Sequence, residues 1–271
     1  MSTPSDSFDA ALGELITLEE LASRDTFMQR LHPGSKLLVT ILFILTAVSF
    51  PKENLSGLLA LVLYPMVLFQ VADLSFRRAL YRCRIVLPLV CAVGIANPFL
   101  DRRPFLIIGS FCITYGLLTM LTLMLKGVLS VLASYLLIAT TSMENLCHAL
   151  YRMHVPSPLV VELLLIYRYI TLFLEETKRV VTAYHLRAPG QKGIAYKAIG
   201  PLLGQLLLRT IDRAERVYQS MQLRGFRGDF SFAPFPGPKG KDIAWVLLWG
   251  VVFVSLRTLP ILESLGGLLL H

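Results

Sequence analysis

The sequence is poor in charge. Only 16% of its 271 residues are Asp, Glu, Lys or Arg, against about 25% in soluble domains, while 55% are apolar and the mean hydropathy is +0.63. A chain with so few charges has to use lipid as part of its solvent. Cysteine is scarce as well. Of the four, Cys91 and Cys112 lie in or beside apolar runs and Cys83 and Cys147 at their polar borders, with no Cys-x-x-Cys spacing. That pattern predicts buried small side chains, not disulfides or thiolate ligands. The chain lacks a Gly-rich loop ending in Gly-Lys-Ser/Thr, so it should neither bind nor hydrolyse ATP itself. It also lacks His-Glu-x-x-His and paired Cys-His spacing, so His148 beside Cys147, and His154 beyond them, are not read as metal ligands, and no cofactor is predicted. His32 and His185 are single and read as ordinary loop or helix residues. There is no nucleophile elbow and no cluster of titratable residues at a bilayer face, which argues against an enzyme. The first thirty residues are polar and fairly acidic, without a basic start leading into an apolar core and a cleavage site. No signal peptide is expected, and the N-terminus is expected in the cytoplasm.

What the sequence does contain is a series of apolar stretches, 37–50, 55–72, 85–100, 116–141, 158–174 and 243–259. A tilted span needs about 20 residues, so the shorter stretches must borrow flanking residues or lie partly in the interface. Only 116–141 is unambiguous by length, and its single Lys126 is read as snorkelling or shielded toward the bundle, with a functional role as the alternative. The predicted fold class is all-α: a polytopic helical membrane protein with about five spans and long amphipathic cytoplasmic helices. The net charge of +8 is spread between the apolar runs, which suits an anionic membrane face or partner and not a nucleic acid. Arg77, Arg78, Arg82 and Arg84 follow the second stretch, and residues 175–242 hold twelve Lys or Arg against six Asp or Glu, so both segments should face the cytoplasm. Four crossings return the chain inside near Ser142. The 158–174 stretch, with Glu162 and Arg168 paired to each other or to the interface, is then expected to lie in or only dip into the membrane. Arg102 and Arg103 fall on the wrong side of this scheme. The tail carries a weak amphipathic pattern in Phe8, Ala11, Leu12, Leu15 and Leu18, expected to form a surface helix. Pro234, Pro236, Gly237, Pro238 and Gly240 predict a stiff connector into the last span. The expected segments are therefore a cytoplasmic stretch 1–36, a transmembrane bundle 37–141, an interfacial and cytoplasmic module 142–242, and a last transmembrane helix with its tail, 243–271.

The informative stretch is 175–230. It reads as two helices separated by the breaker Arg187-Ala188-Pro189-Gly190. On a helical wheel Arg209, Arg213, Arg216, Ser220 and Arg224 fall within roughly 80° of one another. Leu207, Ile211, Ala214, Tyr218 and Met221 occupy the opposite side. Such a helix can lie flat on protein or membrane with its arginines presented to an acidic partner. The two helix ends resemble each other: Leu186-Arg187 precedes Ala188-Pro189-Gly190, and Leu223-Arg224 precedes Gly225-Phe226. A cation there complements the helix dipole, and a following Gly permits a left-handed cap.

From residue 32 onward the sequence resembles the T component of energy-coupling-factor transporters, in particular the CbiQ type that serves cobalt uptake. The resemblance is carried by His32-Pro33-Gly34-Ser35-Lys36-Leu37-Leu38, Thr140-Thr141, Val155-Pro156, Tyr167-Arg168-Tyr169 and Glu175-Glu176. Its most specific part is Asp212-Arg213-Ala214-Glu215-Arg216-Val217-Tyr218 leading to Leu223-Arg224-Gly225-Phe226-Arg227-Gly228. In that family two short Ala-Arg-Gly-like motifs at helix ends dock into grooves on two ATPase subunits. The resemblance implies that Arg224 and Gly225 form the second motif and Arg187 with Ala188 the first, although Ala188 and Pro189 depart from the usual pattern and Leu186 and Leu223 replace Ala. Arg209, Arg213 and Arg216 would support the second motif, and the face made by Leu207, Ile211, Ala214, Tyr218 and Met221 would hold the membrane partner. The implied partners are two CbiO-like ATPases and a CbiM-like substrate-binding membrane subunit, with or without a small CbiN-like protein, in the inner membrane. Cobalt is the favoured substrate, with nickel next and a vitamin third. A stand-alone secondary transporter is the competing reading, but it would favour inverted halves with broken helices, and the one repeat here is in the predicted cytoplasmic stretch.

Overall fold

The computed structural model describes residues 27–51, 55–77, 79–81, 104–108, 111–191, 193–228 and 237–258, with isolated positions at 13, 17, 19–22 and 88. The expected surface helix through Phe8 to Leu18, the 85–100 stretch, Arg102, Arg103, Cys83, Cys91 and the tail beyond 258 lie outside the described residues. The fold is helical, as expected. Among the described residues the helices with defined bounds are α1 (Pro33–Ser49), α2 (Leu55–Leu61), α3 (Leu63–Val71), α4 (Tyr115–Thr140), α5 (Met143–Arg152), α6 (Ser157–Arg187), α7 (Tyr196–Leu223) and α8 (Gly240–Thr258), with a single helical turn at Phe27–Arg30 before them. A two-stranded antiparallel hairpin, β1 (Pro104–Ile108) and β2 (Phe111–Thr114), is a local addition that the apolar runs did not announce. Its sequence signal is Gly109-Ser110 between two apolar, β-branched segments, the composition of a two-residue hairpin loop.

The chain divides into two compact units, Ala22–Ser142 with Pro236–His271, and Met1–Leu21 with Met143–Phe235. In the first, α1 packs against α4 and α8, so the C-terminal helix belongs to the same body as the expected 37–141 bundle. Phe43 stacks on Tyr64 at 4.4 Å, and Trp249 meets the edge of Tyr64 at 4.7 Å. Val39, Phe43 and Ala47 of α1 are buried, yet Leu38, Ile41, Leu45 and Val48 on its other sides are exposed. A helix apolar on every side, with its outer side unburied by protein, fits hydrocarbon solvent. Lys126 is shielded: its Nζ donates to the carbonyls of Val48 at 3.0 Å and Phe50 at 2.6 Å, closing the C-terminal end of α1. The 55–72 stretch is broken into α2 and α3 at Val62, because Pro65 has no N–H to offer the Leu61 carbonyl. Helix α8 begins at Gly240, inside the expected connector.

In the second unit α5 packs on α6, and α7 packs on α6. Sequence reading started a polar helix at Glu175 and gave 158–174 a separate shallow one. The structure instead has one unbroken 31-residue helix, about 46 Å long at 1.5 Å per residue, because nothing between Leu174 and Glu175 interrupts it. Among the described residues, two helices are long and apolar enough to cross a membrane, Gly116–Thr140 and Ser157–Arg187, beside the shorter apolar helices Pro33–Ser49 and Gly57–Val71. Glu162 and Arg168 are exposed and do not pair with each other, since positions six apart on a helix point about 120° away from one another. Cys147 is buried in α5, where burial first and the Glu144 carboxylate second push its thiol pKa up. That makes it an inert packing residue.

Candidate functional site: two helix ends and the groove between their helices

Both Leu-Arg ends terminate helices, but they are closed differently. Helix α7 ends at Leu223, with Arg224 as its C-cap. Gly225 then adopts φ +88°. Its N–H donates to Gln222 O at 2.9 Å, and the N–H of Phe226 donates to Met221 O at 3.0 Å. These are the paired bonds of a Schellman cap, which needs a residue free to enter the left-handed region. Helix α6 ends at Arg187 with Ala188 as its C-cap, whose N–H donates to Tyr184 O at 3.1 Å. Pro189 follows and has no N–H to donate, so the same cap cannot form, and the positive φ comes only at Gly190. The connection is braced instead by Tyr184, whose hydroxyl donates to Gln191 Oε1 at 2.9 Å and accepts the Ala195 N–H at 3.1 Å. Sequence reading passed over Tyr184; only the turned chain brings Ala195 back to it.

Arg187 and Arg224 are both exposed. So are the leucines before them, Leu186 at 78% and Leu223 at 90% of full exposure. Large apolar side chains held that far into solvent beside a cation are left largely uncovered among the described residues. Arg187 ends one helix and Arg224 caps the far end of the 28-residue α7, which spans about 42 Å.

Between α6 and α7 lies an open groove of about 610 Å³. Sequence reading placed the arginines and the apolar residues of α7 on opposite sides. In the structure, Arg209, Arg213 and Arg216 line the groove together with Ala214, Tyr218 and Met221. The reason is that α7 faces α6 through the sector between the two stripes, where Leu206 is buried and Thr210 and Val217 are half-buried. The stripes therefore flank the line of packing. Leu207 and Ile211 lie outside the groove and are exposed at 61% and 46%. Arg209 pairs with Glu176 of α6, and Arg179 lies 4.0 Å from Glu175 and 3.9 Å from Glu176. Arg209 is thus engaged within the chain, tying α7 to α6.

Two other stretches that carried the family resemblance, those of His32 to Lys36 and of Thr140, meet in the first unit. His32 caps the N-terminus of α1: its Nδ1 accepts the Gly34 N–H at 3.1 Å. Its own backbone N–H donates to Asp242 Oδ1 at 2.8 Å, and the second carboxylate oxygen accepts the Lys239 N–H at 2.7 Å. Lys36 Nζ donates to the Thr140 carbonyl at 2.8 Å, at the C-terminal end of α4 where a cation is favoured. His32, Lys36, Thr140 and Asp242 are all buried. His32 is therefore no ordinary loop residue: it belongs to a polar knot joining the starts of α1 and α8, while Lys36 beside it ties α1 to the end of α4. Among the described residues no three His, Cys, Asp or Glu side chains come together as a metal site.

Comparison with known proteins supplies the frame for these features. The chain is 24% identical to the energy-coupling factor transporter transmembrane protein EcfT of Clostridium kluyveri, over 79% of this chain and 84% of that one. It is 26% identical to EcfT of Listeria innocua over 90% and 93% of the two chains. A shorter match, 29% identical over 34% of this chain and 33% of the other, is to the nickel permease LarQ of Lactiplantibacillus plantarum. The family model described as CbiQ, cobalt transport protein, matches residues 24–232, which include His32, Lys36 and Thr140, the paired Leu-Arg helix ends and the groove between α6 and α7. The chain belongs to the CbiQ family and is a transmembrane T component of the energy-coupling-factor transporters.

Proposed function

We propose that this chain couples ATP hydrolysis by two CbiO-like ATPase subunits to a CbiM-like substrate-binding membrane subunit, with or without a CbiN-like protein, and that the cargo is cobalt ion. The observation that carries this reading is the pair of exposed Leu-Arg helix ends, Leu186-Arg187 and Leu223-Arg224. An exposed leucine offers apolar area to a groove. The adjacent guanidinium can make several charge-assisted hydrogen bonds at once to carboxylates or helix-end carbonyls. Two such ends on two long helices allow one chain to engage two copies of one partner. When the ATPases close on ATP, each end moves with its own subunit, and α6 and α7 carry the motion as levers joined by the Arg209–Glu176 pair. The apolar stripe Leu207, Ile211, Ala214, Tyr218 and Met221 holds the membrane partner. About five spans with a cytoplasmic N-terminus put both helix ends on the ATPase side.

Nickel is the second reading, favoured by the likeness to a protein named a nickel permease. The chain's own residues do not choose between the two ions, which the separate substrate-binding subunit would select. The deciding experiment is purification from its native membrane in mild detergent, with identification of the co-migrating chains and metal uptake by the reconstituted complex. Two ATPase copies per chain and cobalt uptake are expected; a chain that purifies alone and transports without ATPases would overturn the proposal.

A further inference from the structure

The groove between α6 and α7 carries chemistry that docking at the helix ends leaves unused. Its volume of about 610 Å³ falls within the roughly 300–1,000 Å³ typical of small-ligand clefts. The α6 wall is apolar, built from Leu165, Ile166, Leu172 and Phe173. The opposite wall presents Arg213 and Arg216, both exposed. At one end Glu176 is neutralised by Arg209 and Arg179. The remaining carboxylate on the rim is Asp212, so two arginines face one acid, and neither arginine is in an ion pair among the described residues.

The setting adds a second constraint. The helix that forms the apolar wall is long and apolar enough to cross a membrane, and only 11% of its most apolar window is buried inside the chain. Guanidinium groups beside such a wall are costly next to hydrocarbon unless an anion accompanies them. An apolar helix laid in the groove would leave both arginines unmatched, and an acidic peptide would lay its charges on Leu165 and Ile166. A lipid with an anionic headgroup satisfies both walls: its phosphate accepts paired N–H bonds from the planar guanidinium fork, and an acyl chain covers α6. We propose that this groove binds an anionic phospholipid of the surrounding bilayer, with the phosphate held by Arg213 and Arg216 and an acyl chain along Leu165, Ile166 and Phe173. The site borders the Leu223-Arg224 end, since Met221 and Phe226 line it, and it shares Ala214, Tyr218 and Met221 with the stripe given to the membrane partner. The acyl chain therefore lies along the α6 wall beside that contact, and the site does not depend on which ion is carried.

The test uses the full chain in neutral detergent, titrated with phosphatidylglycerol or phosphatidylcholine, and reads lipid adducts on the monodisperse, folded fraction by native mass spectrometry. Phosphatidylglycerol should be retained over phosphatidylcholine. The double substitution Arg213→Gln with Arg216→Gln should weaken that retention about 25-fold, from about fivefold per arginine, the equivalent of about 1 kcal/mol each. Val217→Trp keeps both arginines but fills the groove, and it should displace the lipid as well. Arg227→Gln, on an exposed arginine that does not line the groove, should leave retention unchanged. Equal retention of the two lipids by the unaltered chain, loss in only one of the two groove variants, or an equal loss in Arg227→Gln would each overturn the proposal.

Discussion

The backbone N–H of His32 donates to the buried carboxylate of Asp242 at 2.8 Å, across 210 residues of chain. The other oxygen of the same carboxylate accepts the Lys239 N–H at 2.7 Å, so one side chain closes the entry to α1 and the entry to α8 together. Asp242 also sits in the first turn of α8, where the helix dipole favours a negative charge.

Asp242→Ala should be among the most destabilising single changes outside the apolar core. It strands two backbone N–H groups, at about 1–3 kcal/mol for each donor left buried and unpaired. Asp242→Asn keeps one acceptor oxygen and should cost less. Thermal unfolding of the three proteins in one detergent checks the order, and an Ala variant as stable as the parent would remove the knot from the account of stability.

Lys126 offers a separation of structural from transport roles. Lys126→Met removes the donor to Val48 O and Phe50 O and should lower stability by about 1–3 kcal/mol. Uptake per folded molecule should stay within about twofold, because the ammonium group serves the end of α1. A folded, stable Lys126→Met protein without uptake would point instead to a transport role for the charge.

For the helix ends, Arg187→Glu and Arg224→Glu should each weaken ATPase co-purification while leaving membrane insertion intact. Truncating one partner of a buried charged pair costs about 2–5 kcal/mol, well over tenfold in docked complex, and charge reversal should cost more. Arg224→Glu should be the more damaging, because its Schellman cap holds the residue in one fixed orientation. Since closure has to pull on α6 and α7 together, either variant should abolish most uptake and not merely halve it. Full ATPase binding and uptake in both single variants would end the coupling proposal.

Two glycine substitutions in α7 and its cap should have opposite signs. Gly225 sits at φ +88° with open space around it, so Gly225→Ala meets only backbone strain, about 1–2 kcal/mol. It should loosen the cap and weaken ATPase binding. Gly204 lies inside α7, also with nothing near its added Cβ, and Gly204→Ala should stabilise the helix by about 0.5–1 kcal/mol. Circular dichroism melts together with ATPase pull-down distinguish the two effects.

Ile211 tests the membrane-partner face. It is 46% exposed in the chain alone, so Ile211→Asp should leave the isolated subunit folded. Against an apolar partner the new carboxylate would be unpaired, at a cost of several kcal/mol, and the complex should lose its substrate-binding subunit while keeping the ATPases. Normal assembly of this variant would assign the face elsewhere.

Composition and periodicity were enough to read the membrane class, the helical fold and the two Leu-Arg ends, because each rests on local chemistry: too few charges for a watery surface, apolar runs of helical length, and breakers at Pro189 and Gly225. The Schellman cap at Gly225 was legible for the same reason. What sequence reasoning could not reach depends on contacts between distant segments. His32 looked unremarkable until Asp242 arrived beside its N–H, and Lys126 had no visible partner until α1 ended next to it. The direction in which α7 packs was likewise undecided. Its wheel shows an arginine stripe and an apolar stripe, but a helix with exposed residues on both can rest on its neighbour by the sector between them. Burial of Leu206, with Thr210 and Val217 half-buried beside it, and the Arg209–Glu176 pair mark that choice. The sequence by itself determined the solvent, the helices and their ends, whose energies are local; the tertiary structure decided which polar groups are buried together and which face of α7 lines a groove, because those energies exist only once two segments meet.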